Sequence, residues 1–132
     1  MRAVAWLLLI LFVSCGAQTP GPRPRRSSAD VTRWLDGVEA LEVRTPEGGV
    51  LHRVTDPAAM RKFISLLPPS EFDDIFDESG PAKFSVYFVG PGYSDYCITF
   101  SDTHVSYIPK GAARLRPGER ATILAALGVR SD

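Results

Sequence analysis

The 132 residues are 45% hydrophobic and 23% charged, with no formal net charge, a balance that fits one globular domain and excludes a disordered or fibrous chain. Setting aside the first 14 residues, which carry Arg2, leaves 14 basic against 15 acidic side chains. No basic footprint for nucleic acid remains.

Met1 and Arg2 precede AVAWLLLILFV at residues 3–13, followed by SCGA. This is the positive start, apolar stretch and small-residue cleavage zone of a signal peptide, since a spanning helix needs about 20 apolar residues. Phe12, Val13, Ser14 and Cys15 resemble the lipobox of bacterial lipoproteins, in which a short apolar and small-residue triplet precedes a cysteine that is diacylated and becomes the new N-terminus. The resemblance implies cleavage after residue 14, lipid on Cys15, and an exported protein tied to the membrane of the bacterial envelope. Gly16 rather than aspartate after the cysteine implies the outer membrane if the cell is Gram-negative. The alternative is ordinary signal peptidase cleavage after Ala17, which gives a secreted or periplasmic soluble protein. Either route leaves Cys97 without an intrachain partner, so no disulfide supports the domain.

Residues 15–29 read as a tether. TPGPRPRRSS at 19–28 holds three prolines and no apolar side chain able to enter a core, and Arg23, Arg25 and Arg26 keep it hydrated. The single domain is expected over residues 30–132. ADVTRWLDG suits a short helix with Asp30 as N-cap, Val31, Trp34 and Leu35 on one face and Gly37 as the stop. ALEVRT and VLHRVT flank PEGG as an antiparallel hairpin. DPAAMRKFISLLPP is the clearest helix, capped by Asp56, begun by Pro57 and ended by Pro68 and Pro69, with Met60, Phe63, Ile64 and Leu67 as the face that packs. KFSVYFV, YCITF and HVSYI alternate as three further strands. RPGERATILAALG closes the chain as a helix with Pro117 near its start and Gly128 after its end. The order strand, strand, helix, three strands, helix predicts an α+β fold, an antiparallel sheet of about five strands with two helices packed on one face. It is similar to that of many small bacterial envelope proteins, a likeness that carries no motif.

Chemistry-bearing residues are few. Cys97 and His104, with Asp102 to orient the imidazole, are the one constellation for thiol chemistry, but a lone cysteine in a strand is more often a small buried hydrophobe. GYSDY at 92–96 lacks the second glycine of a nucleophile elbow, having Tyr96 in its place. Glu71, Asp73, Asp74, Asp77 and Glu78 are hard oxygen ligands for Ca²⁺, yet Phe72, Ile75 and Phe76 break the alternation of a calcium loop; an acidic turn or a docking site for a basic partner fits better. Lys110, Arg114, Arg116 and Arg120 read as a solvated basic loop. His52 and His104 are too few for zinc, and no phosphate loop, dinucleotide fingerprint or CxxC is present, so no cofactor is expected. Tyr87, on the opposite side of its strand from Phe84, Val86 and Phe88, is the candidate for an exposed sheet surface. The sequence thus reads as a lipid-anchored, non-catalytic module that binds a protein partner as inhibitor, immunity factor or assembly accessory, with a secreted small-ligand or metal-binding module as the alternative.

Overall fold

The computed structural model describes residues 26–73, 80–92, 96–108 and 111–130. Helix α1 (Ser28–Leu35) leads into strands β1 (Ala40–Arg44) and β2 (Val50–Val54), helix α2 (Pro57–Leu66), strands β3 (Phe84–Val89), β4 (Cys97–Phe100), β5 (His104–Ile108) and β6 (Ala112–Arg114), and helix α3 (Glu119–Ala125). The class is α+β, with one open antiparallel sheet in the order β2-β1-β3-β4-β5-β6. The described residues hold six strands, one more than expected from the sequence, and three helices, the short helix read at ADVTRWLDG joining the two expected to pack on the sheet.

Period-two alternation assigns the two faces. Leu41 lies opposite both Val54 and Phe88, and Val43 opposite Val86. Val86 and Phe84 continue the rows to Ile98 and Phe100, which meet Tyr107 and Val105. These side chains form one cluster with Val31 of α1, Met60, Phe63 and Ile64 of α2, and Ile123 and Leu124 of α3, so all three helices cover this face. Phe63 and Phe100 are fully buried against each other, ring centroids 6.4 Å apart. Leu67 is buried as well, completing the α2 face that the helical spacing picks out.

Local chemistry explains the ends of the elements. Asp56 accepts from the Ala58 amide and Pro57 fills the first helical turn, while Pro68 and Pro69 prevent continuation. Helix α1 starts earlier than its apolar pattern suggests: Ser27, not Asp30, is the N-cap, and its hydroxyl accepts from the Asp30 amide. Ser28 and Ala29, expected in the tether, are therefore helical. Arg26 is no solvated linker residue either. Its guanidinium lies 4.9 Å from the Trp34 ring centroid and 5.8 Å from that of Tyr107, donates to Asp30 and to the Pro68 carbonyl at 3.1 Å each, and fastens the chain to the helix layer. Tyr107 donates its hydroxyl proton to that same carbonyl.

Strand β6 lies in the stretch read from sequence as a solvated basic loop. Three residues rich in alanine carry no alternation, and the strand exists because of its neighbours. The Tyr107 amide donates to the Gly111 carbonyl at 2.7 Å, and Gly111 sits at φ +106, where a Cβ would also fall 2.6 Å from the Ser70 hydroxyl oxygen. On the far side of β6, the Glu71 and Phe72 amides donate to the Ala112 carbonyl and the Ala112 amide donates to Phe72. That edge of the sheet is covered by the chain itself. At the other edge, no described strand pairs with the outer side of β2, whose residues 50–53 are all exposed.

Truncation should separate these regions. Phe100→Ala is expected to lose about 3–5 kcal/mol and Leu51→Ala, at an exposed site, no more than about 0.5 kcal/mol, as read from urea unfolding midpoints; equal losses would contradict the assignment of faces.

Candidate functional site

The outer face of the sheet is built from the residues that alternate with the core. Across its middle runs Arg44, Ser85, Thr99, Ser106 and Ala112, and beside it Arg53, Glu42, Tyr87 and Cys97. Ser85 and Thr99 share a hydrogen bond at 3.2 Å. The small side chains here are buried, Ser85, Ser106, Cys97 and Ala112 alike. Tyr87 is half-buried, with the Arg44 guanidinium stacked 4.1 Å over its ring, so the tyrosine face is not a bare aromatic platform.

Glu42 organises this end of the sheet. Its carboxylate accepts from Arg44 at 2.6 Å and from Arg53 at 2.9 Å, with the Glu42 side chain 12% exposed and those of Arg44 and Arg53 32% and 51%. Next to it β2 carries a bulge: Val43 pairs with His52 and Arg44 with Val50, leaving Leu51 as the extra residue. Val50 and Leu51 are 56% and 52% exposed. Two arginines, a tyrosine and an apolar pair thus meet at the β2 end of one face. Sequence reasoning singled out Tyr87 but missed Glu42, Arg44, Arg53, Val50 and Leu51. The available signal was the hairpin itself, whose polar positions set Glu42 and Arg44 across from β2.

The thiol constellation is not assembled. Cys97 lies opposite Ile108, four residues from His104, about 13 Å along the strand at about 3.3 Å per residue. Burial raises the Cys97 thiol above its ordinary pKa, with a weak Thr99 contact at 3.9 Å acting the other way, which is the reverse of nucleophile activation. His104 has its Nδ1 2.7 Å from the Thr103 hydroxyl. Asp102 accepts from Arg120 at 2.9 Å, and that contact chiefly holds its carboxyl below the usual range.

Of the acidic run, Asp74, Asp77 and Glu78 lie outside the described residues, as do Cys15 and Lys110. Glu71 accepts from the Arg114 amide at 3.1 Å, bracing the covered edge beside Phe72, and Asp73 follows it in an exposed bend. Among the described residues no three potential ligands gather around a metal position. Of the basic stretch, Arg114 lies 5.9 Å from the Phe72 centroid and Arg120 donates to Asp102 and to the Ser101 carbonyl. A cleft of about 430 Å³ opens between Asp102, Arg116, Pro117 and Arg120; Asp102 and Arg120 are already occupied with one another.

No protein-family model, curated protein or solved structure matches the chain. The residues alone carry the functional reading.

The Arg44 hydrogen bond holds the Glu42 carboxyl below its ordinary 4.5, against the opposing effect of burial and with further help from the charges of Arg44 and Arg53. Because the folded value is depressed, the stability it contributes is present above about pH 4.5 and lost as pH falls through the folded value. Urea midpoints measured between pH 7 and pH 3 should fall more shallowly for Glu42→Gln than for the native chain; parallel curves would show that the carboxylate contributes nothing.

Proposed function

We propose that the protein is a non-catalytic binding module of the bacterial envelope, held to the membrane by lipid on Cys15 and docking a protein partner at the β2 end of its outer sheet face. The observation that carries the docking reading is the exposure of Val50 and Leu51 beside Arg53 and the Arg44–Tyr87 stack, since arginine and tyrosine around an apolar centre are the side chains on which protein interfaces concentrate their energy. The anchoring reading is supported by the lipobox-like residues 12–15.

The two halves fit together sterically. Arg26 is clasped against Trp34, Tyr107 and Pro68 on the helix side of the sheet, so a tether leaving from Arg26 starts on the side opposite the arginine and tyrosine cluster. An anchored domain of this kind presents its outer face to a partner rather than to its own point of attachment. The cleft beside Asp102 is a weaker candidate for a small ligand, because its carboxylate and guanidinium already satisfy one another.

Mass spectrometry of the mature N-terminus is expected to find Cys15 acylated; an unmodified chain beginning at Gln18 would sink the lipoprotein reading. For docking, a photo-crosslinking side chain at position 51 in the full chain should give a discrete protein adduct in the envelope, while the same group at exposed position 62 of α2 should give none. Adducts at 62 and not at 51 would place the interface on the helix layer instead.

A further inference from the structure

Building on the docking reading, we infer that the partner presents an extended, sparsely acidic segment along β2, with a carboxylate facing Arg53 and Arg44 and an apolar side chain against Val50 and Leu51. Charge sets the chemistry. Two guanidiniums share the single Glu42 carboxylate, and Arg53 is exposed and Arg44 half-buried while the acid is covered, so the cluster turns one unmatched positive charge outward. A carboxylate from outside completes it as a two-arginine, two-acid square. Glu47 in the hairpin loop and Asp56 beyond the strand are both exposed at the ends of β2, and they oppose a continuous polyanion. One or two acids between apolar residues fit; a run of acids or phosphates does not.

The extended form of the partner follows from the unequal edges of the sheet. Residues Glu71 and Phe72 cover the outer side of β6 through three backbone hydrogen bonds to Ala112, whereas no described strand pairs with the outer side of β2. An added strand places its alternate side chains on the same outer face as Arg53. A second copy of the chain is the poorer occupant. Antiparallel self-pairing about His52 sets the two imidazoles opposite one another and each Arg53 opposite a Leu51, and it brings the two Leu51 bulges together in one short ladder, where neither helps the other pair.

The test uses the full-length ¹⁵N-labelled chain in non-ionic detergent and two eight-residue peptides of valine and threonine, one with a single central glutamate and one with lysine in its place. The glutamate peptide should saturably shift the amides of residues 42–44 and 50–54, and Arg53→Glu should weaken it by at least about tenfold while admitting the lysine peptide. Retention of the dispersed amide signals of β3 to β5 shows that the variant is folded. Equal binding of the two peptides, shifts confined to other elements, or concentration-dependent shifts of β2 without peptide, the mark of a second copy, would each overturn the inference. An envelope adduct at position 51 that survives Arg53→Glu would overturn the acidic partner and leave the docking reading standing.

Discussion

One face of the sheet is given over to the core, and the helices and the outer face are both arranged by it. Phe84, Val86 and Phe88 on β3 and Ile98 and Phe100 on β4 fall on the same side because side chains alternate along a strand, and the apolar surface they expose must be covered. Helices α1, α2 and α3 all supply that cover. Everything on the other side follows from what is left: Ser85, Thr99 and Ser106 in one row, Tyr87 and Cys97 in the next, with arginines at the β1–β2 end. The candidate site is thus the complement of the core pattern, written in the alternate residues of the same strands.

The two edges of the sheet are treated differently. An uncovered edge strand invites pairing, and proteins blunt such edges with charge and bulges. Strand β2 carries both devices, Arg53 and the Leu51 bulge, yet it also exposes two large apolar side chains. A purely protective edge has no need of Val50 and Leu51. Under the proposed docking, the four features together make an edge that would resist its own copy and accept a strand with the right side chains.

Much of the fold was legible in the sequence. The five strands with alternating patterns and the α2 helix with its aspartate cap and flanking prolines declare themselves through local periodicity. What escaped was decided at long range. Strand β6 is made by pairing with β5 and by Glu71 and Phe72 arriving from forty residues away, and Arg26, read as part of a hydrated tether, is held by Trp34, Tyr107 and Pro68. The site was less legible for the same reason. Cys97 and His104 are neighbours in sequence on paired strands, but the register that separates them is fixed by the whole sheet. Glu42 and Arg53, eleven residues apart, meet through the hairpin register, and their significance lies in an exposure that no alternation pattern reports.

If the β2 end of the outer face is the surface a partner covers, hydrogen exchange in the envelope will show it. Amide exchange of the full-length protein should be compared in its own envelope and after purification away from it. The β2 amides that point away from β1 are expected to exchange rapidly in the purified protein and to gain protection in the envelope, while those of β3 and β4 change little. Unchanged β2 amides, or protection gained on α1 and α2 instead, would contradict the docking reading.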